Sequence, residues 1–293
     1  MEPKICLVPR LHGIGGMVSF QSKLVEGLSR RGIKITYELG GTTHDSILVI
    51  GGTRNLYQLW QAKRRGIRIV QRLDGMNWIH RVLNTGSKHW LRAEYGNSIL
   101  RVIRSTFADK IAYQSQFSRE WWERERGKTT SHNVIIHNGV DLTKYTPAGT
   151  DRNQEDVIRL LLVEGSLLGG YEFGLENAVR LAEDLANLAN QNKRVELMVV
   201  GKVSDDLQEY WENWVQEKIS HEKLCIKWIG IVDHMNIHEI YQKADLLFSA
   251  DINAACPNSV IESLASGTPV VAFDTGALPE LLDNQGGVVV PYG

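Results

Sequence analysis

The sequence predicts an α/β protein made of two doubly wound parallel-sheet domains. With 293 residues the chain exceeds the usual single domain and divides naturally into two of about 150 residues each. Short aliphatic runs alternate with longer amphipathic segments, the pattern of strands covered by helices on both faces of a parallel sheet. The rhythm breaks once, at HNGVDLTKYTPAGTDRNQED, residues 137–156, a turn-rich polar stretch with Asn-Gly, Pro147 and Gly149, and then restarts. The expected domains are therefore 1–145 and 146–293, joined by that linker and facing a cleft where ligands collect at strand ends.

In the first half KICLVP, KITYEL, SILVIG, IRIVQRL, KIAYQS and NVIIHN read as strands, with helices near 16–31, 54–65, 86–107 and 116–126. In the second half the strands are RLLLVE, VELMVVG, LCIKWIG, ADLLFSA, TPVVAF and GVVVPY. Helices are expected near 172–191, 204–220, 235–243 and 258–266. No short-period repeat or low-complexity tract interrupts them.

A formal net charge of −1 supplies no global field for polyanions, so nucleic acid is not an expected partner. Cys6, Cys225 and Cys256 lie far apart without a CxxC pair, which excludes a disulfide framework or a zinc site and fits a reducing compartment. MEPKICLVPR lacks a signal-peptide core and no apolar run is long enough to span a bilayer, so the expected location is the cytoplasm. His12, His80, His89, His137 and His234 have no ligand spacing, no carboxylate pair of the DxD kind ends a strand, and Asp205-Asp206 opens a helix; no metal is expected.

Two segments carry ligand chemistry. In LHGIGGMVSF, Gly13, Gly15 and Gly16 either let the backbone approach a phosphate or sugar hydroxyl at a helix N-terminus, or serve only the tight strand-to-helix turn. The segment is not GxGxxG, and Glu38 is a poor ribose acid, which argues against a dinucleotide-dependent oxidoreductase. In CPNSVIESLASGTPVVAF, Pro257 suits a helix entrance, and the N–H groups of Asn258, Ser259 and Val260 would face a diphosphate. Glu262, one turn later, can accept from two neighbouring ribose hydroxyls, or be a carboxylate favoured only by the helix dipole.

The string NACPNSVIESLASGTPVVAFDTGALPELL closely resembles the nucleotide-sugar site of glycosyltransferase family 4, retaining enzymes of the GT-B fold. HNGVD at 137–141 resembles that family's interdomain motif, AYQSQFSREWW its strand-and-turn segment, and GIGGMVSFQSKLVEGLSRRGIKITY its first glycine loop and helix. The resemblance implies a hexose-type transfer with retention from a nucleoside-diphosphate sugar to an acceptor hydroxyl, without a required cofactor. Gly15, Gly16, Asn258, Ser259, Val260 and Glu262 would hold the donor. Asp74, where many relatives carry a histidine, would orient or deprotonate the acceptor, or merely cap its turn. The acceptor itself, whether saccharide, lipid-linked or small molecule, is not implied, and peripheral membrane contact is compatible with it.

Three departures stand out. Ala254 replaces the first Glu of the family's E-x7-E pattern, leaving Asp251 or Asn253 as the nearby polar groups. The Arg and Lys that usually follow the strand at RLLLVEG are missing; GSLLGGYEFG offers Ser166, and Lys202 after another strand either replaces one cation or is a solvated surface lysine. The chain stops at GGVVVPYG where relatives continue into C-terminal crossover helices, so those are expected to be lacking. Together these keep open a binding protein that retained the fold and lost turnover. Arg72 can reach an acidic acceptor or pair with Asp74. Trp121-Trp122 buries an indole under a helix or, alternatively, meets a membrane interface. Arg101, Arg104, Lys63, Arg64 and Arg65 read as solvated charges unless they cluster.

Overall fold

The computed structural model describes residues 3–13, 15–40, 44–149, 156–168, 172–189, 193–219, 223–233, 235–283 and 285–292. His234 and residues 150–155 of the expected linker lie outside them. The chain forms two compact units, Met1–Gly139 and Val140–Gly293. Val140 and Tyr145 pack into the core of the second unit, so the junction falls after Gly139, six residues before the expected 145.

In the first unit the strands are β1 (Lys4–Val8), β2 (Lys34–Thr36), β3 (Ser46–Ile50), β4 (Arg68–Leu73), β5 (Lys110–Tyr113) and β6 (His132–Ile135). They form one parallel sheet in the order β2-β1-β3-β4-β5-β6. The helices are α1 (Gly16–Arg30), α2 (Leu56–Arg64), α3 (Ile79–Val82), α4 (Ser87–Val102) and α5 (Gln116–Arg126). A π-helical turn, Ile103–Phe107, continues α4. It turns Arg104 inward, contrary to its reading as a solvated charge: Arg104 is buried and donates to Tyr113 Oη and the Gly127 carbonyl, both at 2.8 Å. Trp121 and Trp122 are also buried, Trp122 Nε1 donating to the Asp74 carbonyl at 2.8 Å, which removes them as a membrane contact.

In the second unit β7 (Val157–Ser166), β8 (Arg194–Lys202), β9 (Leu224–Gly230), β10 (Leu246–Ser249), β11 (Val270–Phe273) and β12 (Gly287–Val290) form a second parallel sheet, ordered β12-β11-β10-β7-β8-β9. The helices are α6 (Phe173–Leu188), α7 (Asp205–Lys218), α8 (His238–Tyr241), α9 (Asn258–Ala265) and α10 (Leu278–Leu282). Successive β7 residues feed opposite faces. Leu160 and Leu162 join Leu175 and Val179 on one side; Leu161 joins Tyr241, Val260 and Leu278 on the other. The strand order reverses between β1 and β3 in the first unit and between β7 and β10 in the second, and such switch points open a crevice at the carboxyl ends of the strands. Among the described residues no helix is long and apolar enough to cross a membrane.

Candidate functional site

The second unit gathers polar groups at its switch point. After β10 the chain enters a loop in which Asn253 adopts a left-handed conformation, φ 56°, tolerable for asparagine. This loop leans on the turn that follows β11. Asn253 N–H donates to Thr275 Oγ1 at 3.2 Å and Ala277 N–H to the Ala254 carbonyl at 2.9 Å. Gly276, at φ +64°, lies so close that a Cβ there would stand 2.6 Å from the Ala254 oxygen. The Gly-Ala-Leu-Pro-Glu turn is thus the back wall of the Cys-Pro-Asn loop, which explains why the two motifs occur together.

Helix α9 starts directly from that loop. Its first intrahelical bond runs from Ile261 N–H to the Pro257 carbonyl at 3.4 Å, and no side chain caps the start. Helix geometry points the N–H groups of positions 258–260 beyond this end, where the dipole favours an anion. Asn258 and Ser259 are half-buried and Val260 is a core residue, so Val260 can contribute only its backbone.

Glu262 points inward. Only 5% exposed, it accepts from Tyr241 Oη at 3.1 Å through Oε2. Tyr241 and Tyr145, ring centroids 6.2 Å apart, flank it; burial first, and the Glu262 carboxylate next, raise the pKa of both phenols. Neither tyrosine was expected from the motif, because their approach to Glu262 depends on α8 and the post-linker segment folding over α9.

Two acids lie near the carboxyl ends of adjacent strands of this sheet. Glu164 lies near the end of β7, where pairing with β8 shifts register between Val163 and Ser166, and Asp251 follows β10, the adjacent strand. Burial lifts Asp251 to about 6; burial and then the Asp251 charge lift Glu164 well above the usual carboxylate range. Ser166 and Lys202 are exposed cross-strand partners at the ends of β7 and β8. An acid whose pKa is higher folded than unfolded contributes stability at low pH that is lost as pH rises through the folded value. Stability is therefore expected to fall between about pH 4, where an unfolded aspartate titrates, and about pH 6, where Asp251 titrates in the fold. Asp251→Asn should flatten that slope and raise stability at alkaline pH by about 2 kcal/mol after allowance for solvent screening, measured by urea unfolding across pH. An unchanged slope would show that the pair does not carry it.

The first unit organises its own sheet edge differently. Gly15, with φ +135°, precedes α1, and Gly16 begins it. A Cβ at Gly13 or Gly15 would meet nothing within 4 Å, so conformation rather than crowding requires the glycines. Gln21, buried on α1, fixes the loop by accepting from Leu11 N–H and donating to the Pro9 carbonyl, both at 2.8 Å. Asp74 follows β4 and is half-buried; burial raises its pKa and Arg72 opposes the rise. Its carbonyl accepts from Ser118 and Trp122, while a Cβ on Gly75 would stand 2.7 Å from the Trp121 ring.

Arg72 does not face outward as the sequence allowed. It is buried, stacks 3.5 Å from the Phe20 ring centroid and donates through Nη2 to Asn138 Oδ1 at 2.6 Å, which ties the Asn-Gly motif to β4. A cavity of about 230 Å³ opens at the carboxyl ends of β3 and β4, lined by Thr53, Arg54, Asn77 and Gly96 among others. Asn97 closes around Asn77, accepting from its N–H and donating to its carbonyl at 3.0 Å each. The Gly-Gly-Thr-Arg-Asn run directly after a strand was the available sequence signal for this cavity. Asp74 is not among its lining residues.

Two parallel six-stranded sheets, each with a crevice at its switch point, define the GT-B class of fold. Residues 167–293 match the family described as Glycosyl transferases group 1. No curated protein matches the chain in sequence. Similar solved structures include sucrose-phosphate synthase from Thermosynechococcus elongatus, with a TM-score of 0.70 at 16% identity over 99% of this chain and 86% of that one. Anabaena HepE in complex with UDP gives 0.69 at 14% identity, covering 100% and 86%. A glycosyltransferase from Rickettsia africae gives 0.63 at 16% identity, covering 99% and 84%. At these identities the likeness is one of fold.

Proposed function

We propose that this protein is a retaining glycosyltransferase of the family 4 kind, moving a hexose-type sugar from a nucleoside-diphosphate donor to an acceptor hydroxyl. The observation that carries this reading is the uncapped start of α9 beside the second sheet's switch point, with Glu262 one turn in. In this scheme the amides of Asn258, Ser259 and Val260 hold the diphosphate, assisted by Ser166 and Lys202, and Glu262 holds the ribose in place of its tyrosine partners. Gly15 and Gly16 give the donor a close backbone approach. Asp74 orients the acceptor hydroxyl. As the bond from the sugar's anomeric carbon to the diphosphate breaks, the acceptor oxygen bonds to the same carbon from the same face and its proton passes to a departing phosphate oxygen. Charge on the leaving group is met by the helix-start amides, with no metal required. The solved complexes of HepE with UDP and with UDP-glucose make these the first probes.

A second reading, a nucleotide-binding protein without turnover, draws on the Glu164 and Asp251 acids near the place where family members carry cations, and on Ala254. Titration calorimetry with UDP, GDP and ADP, followed by an assay for sugar release from the corresponding donors, distinguishes the two. Binding plus release supports transfer; binding without release with any donor or acceptor supports the second reading; no nucleotide binding removes both.

A further inference from the structure

The first unit presents an exposed surface of mixed apolar and basic side chains. Residues 46–94 contain nine Lys or Arg and two acids, Asp74 and Glu94, in a chain of formal net charge −1. Within this stretch residues 81–92 are exposed at every position but one. Val82 is 72% and Leu91 63% exposed, with Leu83 and the Trp90 indole also in solvent. They do not dangle from a loose loop. His80, buried on α3, bonds Glu94 of α4 at 2.8 Å, and Arg81 adds a second contact to the same carboxylate at 2.7 Å. The Trp90 ring lies 6.2 Å from His80, so the apolar end of α3 and the first turn of α4 sit together. Lys88 and Arg92 are interleaved with these apolar side chains and form no ion pair among the described residues. Just before α2, Arg54 covers the Tyr95 ring of α4 at 5.8 Å, whereas Lys63 near the end of α2 donates to the Thr106 and Phe107 carbonyls beyond the C-terminal end of α4 and pairs with Asp109.

We infer that this α3–α4 edge docks the protein on an anionic lipid bilayer, with Val82, Leu83, Trp90 and Leu91 entering the headgroup boundary and Lys88 and Arg92 meeting lipid phosphates. Exposed aliphatic side chains are costly in water and gain by burial in that boundary, an indole favours the interface, and cations without acidic neighbours are drawn to a negative surface. A nucleic-acid site would use the cations but leave Val82, Leu83 and Leu91 unexplained. Docking of this kind does not depend on the proposed sugar transfer.

The test is flotation of the full chain with vesicles of phosphatidylcholine alone and with about a third phosphatidylglycerol. Binding is expected only to the anionic vesicles and is expected to weaken at high salt. Trp90→Ser with Leu91→Ser, and separately Lys88→Ser with Arg92→Ser, should each lower the partition coefficient about tenfold. All four positions are exposed, and unchanged thermal midpoints verify that the variants fold. Equal binding to both vesicle types, no binding, or undiminished binding by either variant overturns the inference. Retention on single-stranded DNA without vesicle binding would assign the surface to nucleic acid, and a dimer abolished by the Trp90 and Leu91 changes would assign it to a second copy; either result also overturns it.

Discussion

Gly276→Val is expected to lower stability by about 3 kcal/mol or more and to abolish nucleotide binding in the fraction that folds. Holding a β-branched residue at φ +64° costs about 1–2 kcal/mol by itself. The new Cβ would also stand 2.6 Å from the Ala254 oxygen and 2.7 Å from its nitrogen, both backbone atoms of a loop that cannot retreat without losing the Ala277-to-Ala254 hydrogen bond. Overpacking of this kind adds about 1–3 kcal/mol. Relief requires the loop before α9 to move, and that loop sets where the helix start points. Chemical denaturation and UDP titration check the two effects separately. A variant of normal stability and normal affinity would mean that the wall behind Ala254 is not needed.

Glu262→Ala is expected to weaken UDP binding by about tenfold or more, since the proposed ribose contact loses its charged acceptor, and to cost about 2 kcal/mol of stability, since Tyr241 Oη loses its partner inside a packed core. Glu262→Gln separates these consequences. An amide oxygen still accepts from Tyr241 and nearly fills the same volume, so stability should return while affinity stays low. If both variants bind UDP like the parent, Glu262 is a core acid serving the tyrosines and the ribose assignment fails.

Much of the architecture could be read from residue pattern alone because it depends on local information. Strands buried on both faces announce themselves as continuous aliphatic runs, and their alternation with amphipathic helices leaves little but a parallel sheet. All twelve expected strand segments occur, and the two helices that were not expected, α3 and α10, are short, with four and five residues. The Pro257-Asn258 entrance of α9 was similarly legible, because a proline preceding a helix acts through its own backbone.

What the pattern misread were polar residues whose partners come from distant sequence. Arg104 looked like a solvated cation and is buried against Tyr113 and Gly127, while Arg72, read as reaching an acidic acceptor or pairing with Asp74, is buried against Phe20 and Asn138. Glu262 looked open to a ligand and shares its carboxylate with Tyr241. The acids at 164 and 251 are 87 positions apart and meet because β7 and β10 are adjacent in the sheet.

The sequence by itself determined the two-sheet α/β class, the order of strands and helices along the chain, and the place where a helix begins beside a proline, since each follows from propensity and periodicity over a few residues. Only the tertiary structure decided which charges are desolvated and which acids share a site. Those properties belong to the low-dielectric neighbourhood that strand order assembles, and a linear pattern carries no record of distance through space.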